Sequence, residues 1–174
     1  MNLSLCMIVR NEEETIGRCL AGVAEACDEI IIVDTGSTDK TKEIAGKYTD
    51  KIYDFAWNDD FSAARNFSFS KATGDFILWL DADDVLTFEE LEKFIDFKKT
   101  LSEKDDVVLM RYECALDEDG NAVFFFYRER IFRRAKGFLW KGRVHEAVEY
   151  SGNVRYSDIA IKHFSAKTEY GDRN

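Results

Sequence analysis

Short apolar runs that end in acidic or polar residues constrain the fold of this chain most. Residues 3–9, 30–33 and 76–80 have the length of buried strands and show no alternation of polar and apolar side chains. Segments with helical spacing lie between these runs, and a further strand is expected at residues 51–56. Continuous apolar strands that alternate with amphipathic helices predict an α/β fold with a largely parallel sheet covered on both faces.

The pattern changes after residue 106. Residues 107–114 and 123–134 are expected to form strands around a turn at 119–121, and a last strand is expected at 159–164. Residues 140–150 show no single periodicity. We therefore expect one domain over residues 1–174, in which an α/β half (1–106) of nucleotide-binding type precedes a mixed β half (107–174).

Charge and cysteine content exclude several classes of protein. The 34 acidic and 24 basic residues give a net charge of −10, which argues against nucleic acid as the main partner. A nucleotide remains compatible, because a bound divalent cation can reverse the local charge. The four cysteines form no C-x-x-C pair and are expected to be buried thiols in a reducing compartment. We see no signal peptide and no transmembrane segment, and expect a cytoplasmic protein, with peripheral action at the inner face of the membrane left open.

Polar residues follow three of the predicted strands, at the edge where open parallel sheets bind their ligands. The fourth strand ends in Asp81-Ala82-Asp83-Asp84, whose D-x-D spacing can direct two carboxylates to one Mg²⁺ or Mn²⁺ ion. An acidic turn before a helix explains the same residues without a metal. Asn11 precedes Glu14 by three residues, so a helix-capping role is enough to explain it.

Four motifs occur in a fixed order over the first half of the chain: LCMIVRNEE from residue 5, IIVDTGSTDKT from 31, ARN from 64 and GDFILWLDADD from 74. Together they resemble the family-two inverting glycosyltransferases, which have the GT-A fold. This resemblance implies a nucleotide-sugar donor, most commonly a UDP-sugar, a divalent cation (Mn²⁺ or Mg²⁺), and a saccharide, lipid-linked, protein or peptide acceptor. Asp34-Thr35 replaces the two acids of many members and resembles a subgroup that often carries C-terminal helical repeats, so we expect a shortened or short relative of that subgroup.

The resemblance also assigns roles to individual positions. Val9 and Arg10 match residues that lie against the nucleobase, and Asp34 matches a carboxylate that reads the base or ribose. Asp83 matches the metal ligand, and His163 falls where a late histidine often completes the metal site, although a lone histidine is equally compatible with a structural role. The full set expected to bind the nucleotide is Val9, Arg10, Asn11, Asp34, Arg65, Asp81 and Ala82.

The segment from Trp140 to Glu146 resembles the acceptor side of the same subgroup. An inverting transfer needs one base to take the acceptor proton, and Glu146 is the candidate; an ordinary turn glutamate is the alternative. Trp140 is expected to stack on a sugar, with a core position as the alternative. His145 is expected to orient its neighbours or to be a structural histidine.

Two other functions remain open from the sequence. A haloacid-dehalogenase-like phosphatase also places D-x-D after an apolar strand, but its motif follows the first strand of the fold, whereas here it follows the fourth. A non-catalytic nucleotide-sugar-binding module would keep Asp34 and Asp83 and would need no base at Glu146.

Overall fold

A computed structural model describes residues 1–116 and 122–164, and the turn predicted at 119–121 lies outside them. The strands are β1 (Leu3–Val9), β2 (Glu29–Asp34), β3 (Ile52–Asp54), β4 (Phe76–Trp79), β5 (Asp84–Val85), β6 (Val107–Leu116), β7 (Ala122–Arg133), β8 (Trp140–Lys141), β9 (Ala147–Val148) and β10 (Val154–His163). The helices are α1 (Ile16–Ala21), α2 (Thr41–Ala45), α3 (Phe61–Lys71) and α4 (Phe88–Lys99).

Eight of the strands form one sheet in the order β3-β2-β1-β4-β7-β6-β10-β5, and β8 pairs with β9 in a separate ribbon. The pairs β2–β3, β1–β2, β1–β4 and β6–β10 are parallel. The long strand β7 runs antiparallel to both β4 and β6, and β5 runs antiparallel to β10. The prediction of an α/β fold with a largely parallel sheet is therefore confirmed.

Both faces of the sheet are buried at β1, β2 and β4, which explains why these strands lack alternation. Leu5 and Met7 of β1 belong to a core that also holds residues of α1 and α4. Cys6, between them, belongs to a second core that includes Phe69 of α3. Successive side chains of one strand thus enter opposite cores, so each must be apolar.

The first helix ends at Ala21, and Gly22 follows it. A Cβ atom at Gly22 would lie 2.7 Å from the carbonyl oxygen of Leu86, so the close approach of two backbones requires glycine there. The capping role predicted for Asn11 is wrong. Asn11 has a φ of 54°, and its side-chain oxygen accepts from the amide of Thr38 instead of a helix amide.

Thr87 caps the helix α4. Its hydroxyl oxygen accepts from the amide of Glu90 at 3.4 Å, at the start of α4. The Glu90 carboxylate does not return to the cap but accepts from the amide of Ala160 in β10. With 12 residues, α4 is the longest helix in the described part of the chain, and no helix there has the length and apolarity needed to cross a membrane.

Candidate active site

One cleft of about 450 Å³ opens where β1, β2 and β4 end, beside the β3–α3 connection and the end of β10. Parallel strands direct their carboxyl ends to the same edge, so residues that are far apart in the sequence meet there. The cleft is lined by Ile8, Val9, Arg10, Glu12, Thr35, Trp57, Phe61, Arg65, Asp81, Ala82, Asp83 and His163.

The cleft gathers seven of the twelve site residues expected from the sequence, and five lie elsewhere. The seven that line it are Val9, Arg10, Arg65, Asp81, Ala82, Asp83 and His163. The five that do not line it are Asn11, Asp34, Trp140, His145 and Glu146. A binding or catalytic role for any of the twelve stays a prediction.

Asp34, the last residue of β2, is buried and binds the backbone of the loop that follows this strand. It is only 2% exposed, and its Oδ1 atom accepts from the amides of Gly36 and Ser37, both at 2.9 Å. Its Oδ2 atom is buried and has no hydrogen-bond partner among the described residues. The carboxylate therefore shapes the turn with one oxygen and leaves the other unpaired.

Arg65, on α3, is the central cation of the site. Its Nη2 atom lies 2.8 Å from Asp81, and its Nε atom lies 2.7 Å from Glu146. The guanidinium packs against the rings of Trp79 and Trp140, at 4.7 and 4.8 Å from their centroids. Burial works to lower the pKa of Arg65, but the two carboxylates outweigh it and raise that pKa, so Arg65 is a fixed positive charge.

The expectation that Trp140 stacks on a sugar disagrees with the structure. Its side chain belongs to the core, the residue is 2% exposed, and its ring meets those of Trp79 and Phe69 edge to face. The amide group of Asn66 fixes the backbone there by accepting from Trp140 N at 2.8 Å and donating to Trp140 O at 3.0 Å. No face of the Trp140 ring is open to a ligand. Trp140 therefore takes the core position that the sequence analysis gave as the alternative.

Glu146 and His145, which were expected on the acceptor side, also lie outside the cleft. Glu146 has an 11% exposed side chain, whose Oε1 atom accepts from Arg65. His145 is exposed and has a φ of 57°, in a loop that precedes β9. The sequence therefore located this segment next to the site but did not give the directions of its side chains.

A set of possible metal ligands lies at the polar end of the cleft. Ligand atoms of Asp83, Asp84 and His163 lie within 4.8 Å of one another, because β5 pairs with β10 and sets Asp84 opposite His163. The Nδ1 atom of His163 is 3.5 Å from Asp83 and 3.1 Å from the hydroxyl of Tyr112. Carboxylate oxygens with one imidazole nitrogen are a donor set that fits a divalent cation such as Mn²⁺.

Two important residues of this end were missed by the sequence analysis. Asp84 and Arg130 form an ion pair at 2.8 Å with both side chains 0% exposed, and Arg130 packs between Trp79 and Tyr112. Burial raises the pKa of Asp84, and the charge of Arg130 only partly offsets this. The signal was an arginine directly before an apolar pair in β7, but nothing local identifies its partner.

The arginines divide the acidic turn into two kinds of carboxylate. Asp81 pairs with Arg65 and Asp84 pairs with Arg130, whereas Asp83 faces His163. Burial alone would raise the pKa of Asp81, but the charges of the two arginines outweigh it and lower that pKa. In the described structure, Asp83 is thus the acid of this turn that lies next to His163, the other candidate metal ligand.

Glu12 also lines the cleft and was not assigned a role. Burial raises the pKa of Glu12; a hydrogen bond from Thr15 opposes this rise, and the negative charges of Asp83 and Asp81 add to it. Glu12 therefore adds negative charge near the candidate metal ligands. A cation bound there would offset the repulsion between these carboxylates.

Known proteins of similar sequence come from several bacteria. A TPR repeat-containing protein of Synechococcus elongatus is 40% identical over 152 residues, which cover 86% of this chain and 36% of that protein. Glycosyltransferase SunS of Bacillus subtilis is 30% identical over 159 residues, which cover 88% of this chain and 36% of SunS. The chain thus spans about a third of the length of these curated relatives.

Solved structures with the same fold include TarS of S. aureus, with a TM-score of 0.62 at 23% identity over 81% of this chain and 50% of TarS 1–349. Glucosyl-3-phosphoglycerate synthase of Mycobacterium tuberculosis has a TM-score of 0.53 at 20% identity over 64% of this chain and 43% of the synthase. The predicted GT-A type of α/β fold is confirmed by this likeness, whereas the subgroup with C-terminal repeats stays a prediction.

The family match covers most of the chain and both of its halves. A family model described as "Glycosyl transferase family 2" matches residues 4–155, from β1 into β10. This match argues against the phosphatase hypothesis, which rested on the D-x-D motif alone. The chain belongs to glycosyltransferase family 2.

Proposed function

We propose that this chain transfers a sugar from a nucleotide-sugar, with UDP as the expected nucleotide, to an acceptor nucleophile, with inversion and with the help of a divalent cation. The observation that carries the proposal is the convergence of Asp81, Asp83, His163 and Arg65 on one cleft at the carboxyl edge of the sheet. TarS has been solved with UDP and with UDP-GlcNAc, and the mycobacterial synthase with Mn²⁺ and UDP-glucose, which supports the donor class and the cation.

In this proposal the residues of the chain divide the work. Arg10 and Arg65 supply positive charge beside the nucleotide, and Val9 supplies an apolar contact. Asp83 and His163 would hold the cation, which when bound would neutralise the negative charge that develops on the departing diphosphate. The first half of the chain (1–106) would bind the donor, and the second half would present the acceptor.

Glu146 is retained as the proposed base, because an inverting transfer needs a group that removes the acceptor proton. Its carboxylate is 2.7 Å from Arg65, which also contacts Asp81, so the proposed base is linked to the donor side through one guanidinium. The side chain does not line the cleft, which favours a non-catalytic nucleotide-sugar-binding module as the second candidate.

Calorimetric titration with UDP, with and without Mn²⁺, tests the binding part. We expect Mn²⁺ to strengthen UDP binding and Asp83→Ala to remove only that metal-dependent part, because the variant loses one ligand of the cation. Asp96→Ala, at an exposed acid on α4, is the matched control and should bind as the unmodified chain does. Equal metal dependence in Asp83→Ala and the unmodified chain would refute the assigned ligand.

Transfer and donor hydrolysis separate the two candidate functions. The unmodified chain with UDP-sugars and Mn²⁺ should release UDP, because water can replace the acceptor when none is supplied. UDP binding without any release of UDP, across a panel of donors and acceptors, would favour the binding module.

A further inference from the structure

The cleft is also lined by two aromatic residues to which the sequence analysis assigned no role. Trp57 precedes α3, and Phe61 is its first residue. Their rings meet edge to face with centroids 4.8 Å apart, and Phe61 is 40% exposed. Trp57 is half-buried. An aromatic pair that lines a cleft and is partly exposed offers ring surface to a ligand.

This pair is held in place from both sides. The indole Nε1 of Trp57 donates to Asp59 at 3.0 Å, and the Asp60 side chain caps α3 by accepting from the amide of Ala63 at 3.0 Å. The amide of Phe61 donates to the carbonyl oxygen of Arg143 at 3.0 Å, and the Arg143 side chain donates to the carbonyl oxygen of Asp59 at 3.3 Å. The rings are therefore fixed before any ligand arrives.

Trp57 lies on the far side of the cleft from the candidate metal ligands, as the strand order indicates. Trp57 follows β3 and Asp83 follows β4, and these strands are three places apart in the order β3-β2-β1-β4. Neighbouring strands are about 4.8 Å apart, so the two strand ends are separated by roughly 14 Å. An elongated ligand that spans the cleft would have one end at Asp83 and the other at Trp57.

The chemistry of the two ends matches the two ends of a nucleoside diphosphate. The Asp83 end carries carboxylates and an imidazole, which suit a cation and the phosphates that it binds. The other end carries Ile8, Trp57 and Phe61, which suit a flat heterocyclic ring. The candidate metal ligands lie at the Asp83 end, so a diphosphate bound there through a cation directs the base of the nucleotide towards the aromatic side chains.

We infer that Trp57 and Phe61 form the wall against which the nucleobase of the donor packs, an inference that rests on the proposed function. Base–aromatic contacts of this kind are lost on truncation to alanine with roughly 5- to 150-fold weaker binding. Trp57→Ala should therefore weaken UDP binding by a factor in that range. Trp57→Phe, which keeps a ring, should weaken it less.

The tryptophan content of the chain provides a direct readout of Trp57. The chain has three tryptophans, and Trp79 and Trp140 are 0% and 2% exposed, so acrylamide should quench mainly the fluorescence of Trp57. UDP should protect that fluorescence in the unmodified chain. The protection should be absent in Trp57→Phe, which also serves where Trp57→Ala folds poorly.

Calorimetry on the same proteins separates the possible failures. Phe88→Ala removes a 76% exposed ring outside the cleft and should leave UDP affinity unchanged. If UDP binds to the unmodified chain while acrylamide quenching is unaffected and Trp57→Ala binds UDP within twofold, the aromatic wall is refuted and the proposed function stands. A Trp57→Ala effect on UDP-GlcNAc but not on UDP would place the rings at the sugar and also refute it. A chain that binds no UDP with or without Mn²⁺ would refute the proposed function itself.

Discussion

Replacing Arg130 with methionine would leave a buried carboxylate without its cationic partner. Asp84 and Arg130 are both 0% exposed in their side chains and lie 2.8 Å apart. Methionine is long enough to occupy the space between the rings of Trp79 and Tyr112, so the main loss is the charge.

The expected loss is large because water cannot reach the carboxylate that remains. Removal of one partner of a buried ion pair typically destabilises the folded state by about 3–5 kcal/mol. For a domain of this size the same loss lowers the melting temperature by roughly 6–20 °C. Burial already raises the pKa of Asp84, and the loss of Arg130 raises it further, so the destabilisation should be smaller at pH 5 than at pH 8.

Urea denaturation followed by circular dichroism measures these differences, with three further variants for comparison, the first of which is the single variant Asp84→Asn. Arg130→Met/Asp84→Asn removes both charges and should recover most of the lost stability. Lys99→Met breaks the exposed ion pair with Asp96 and should change the free energy of unfolding by less than about 1 kcal/mol. If Arg130→Met costs no more than Lys99→Met, or if the double variant is as unstable as the sum of its single variants, the assigned pairing is refuted.

Three further predictions concern stability and catalysis. Burial alone would raise the pKa of Glu29, but hydrogen bonds from Lys51, Ser4 and Thr73 lower it to about 2. The ionised Glu29 therefore stabilises the folded state by up to roughly 3 kcal/mol. This contribution is complete above about pH 4.5 and is lost as the pH falls towards 2. Urea unfolding at pH 3 and pH 7 should therefore show a weaker pH dependence for Glu29→Gln, and equal slopes would contradict this. Asp60→Ala removes the acceptor for the amide of Ala63 at the start of α3 and should lower the free energy of unfolding by about 1 kcal/mol, measured in the same way. Glu146→Gln should leave UDP affinity intact in calorimetry and abolish sugar transfer; surviving turnover would exclude Glu146 as the base.

The strand ends of the first half could be predicted because burial and chain direction both appear in the local sequence. The apolar runs before Asp34 and Asp81 have no exposed face, so they had to be central strands of a covered sheet. Parallel strands direct their carboxyl ends to one edge, which placed Arg10 and Asp83 in the same cleft.

The directions of side chains in the second half could not be predicted, because they depend on partners that are distant in the sequence. Strand β7 inserts between β4 and β6, and this brings Arg130 to Asp84 across 46 residues of chain. Trp140 is fixed by Asn66, 74 residues away, which turns its ring into the core. Local spacing carries no information about either contact.

The contacts of Arg65 with Trp140 and Glu146 limit how the two halves of this chain can be combined with those of other proteins. Arg65 belongs to the first half of the chain, whereas Trp140 and Glu146 belong to the second, and the guanidinium contacts both. A chimaera that joins residues 1–106 of this chain to the second half of a distant relative would separate the arginine from the ring and the carboxylate that neutralise and enclose it. The second half is therefore exchangeable only between parents that supply the same ring and carboxylate, and an engineered swap should transfer these three side chains together.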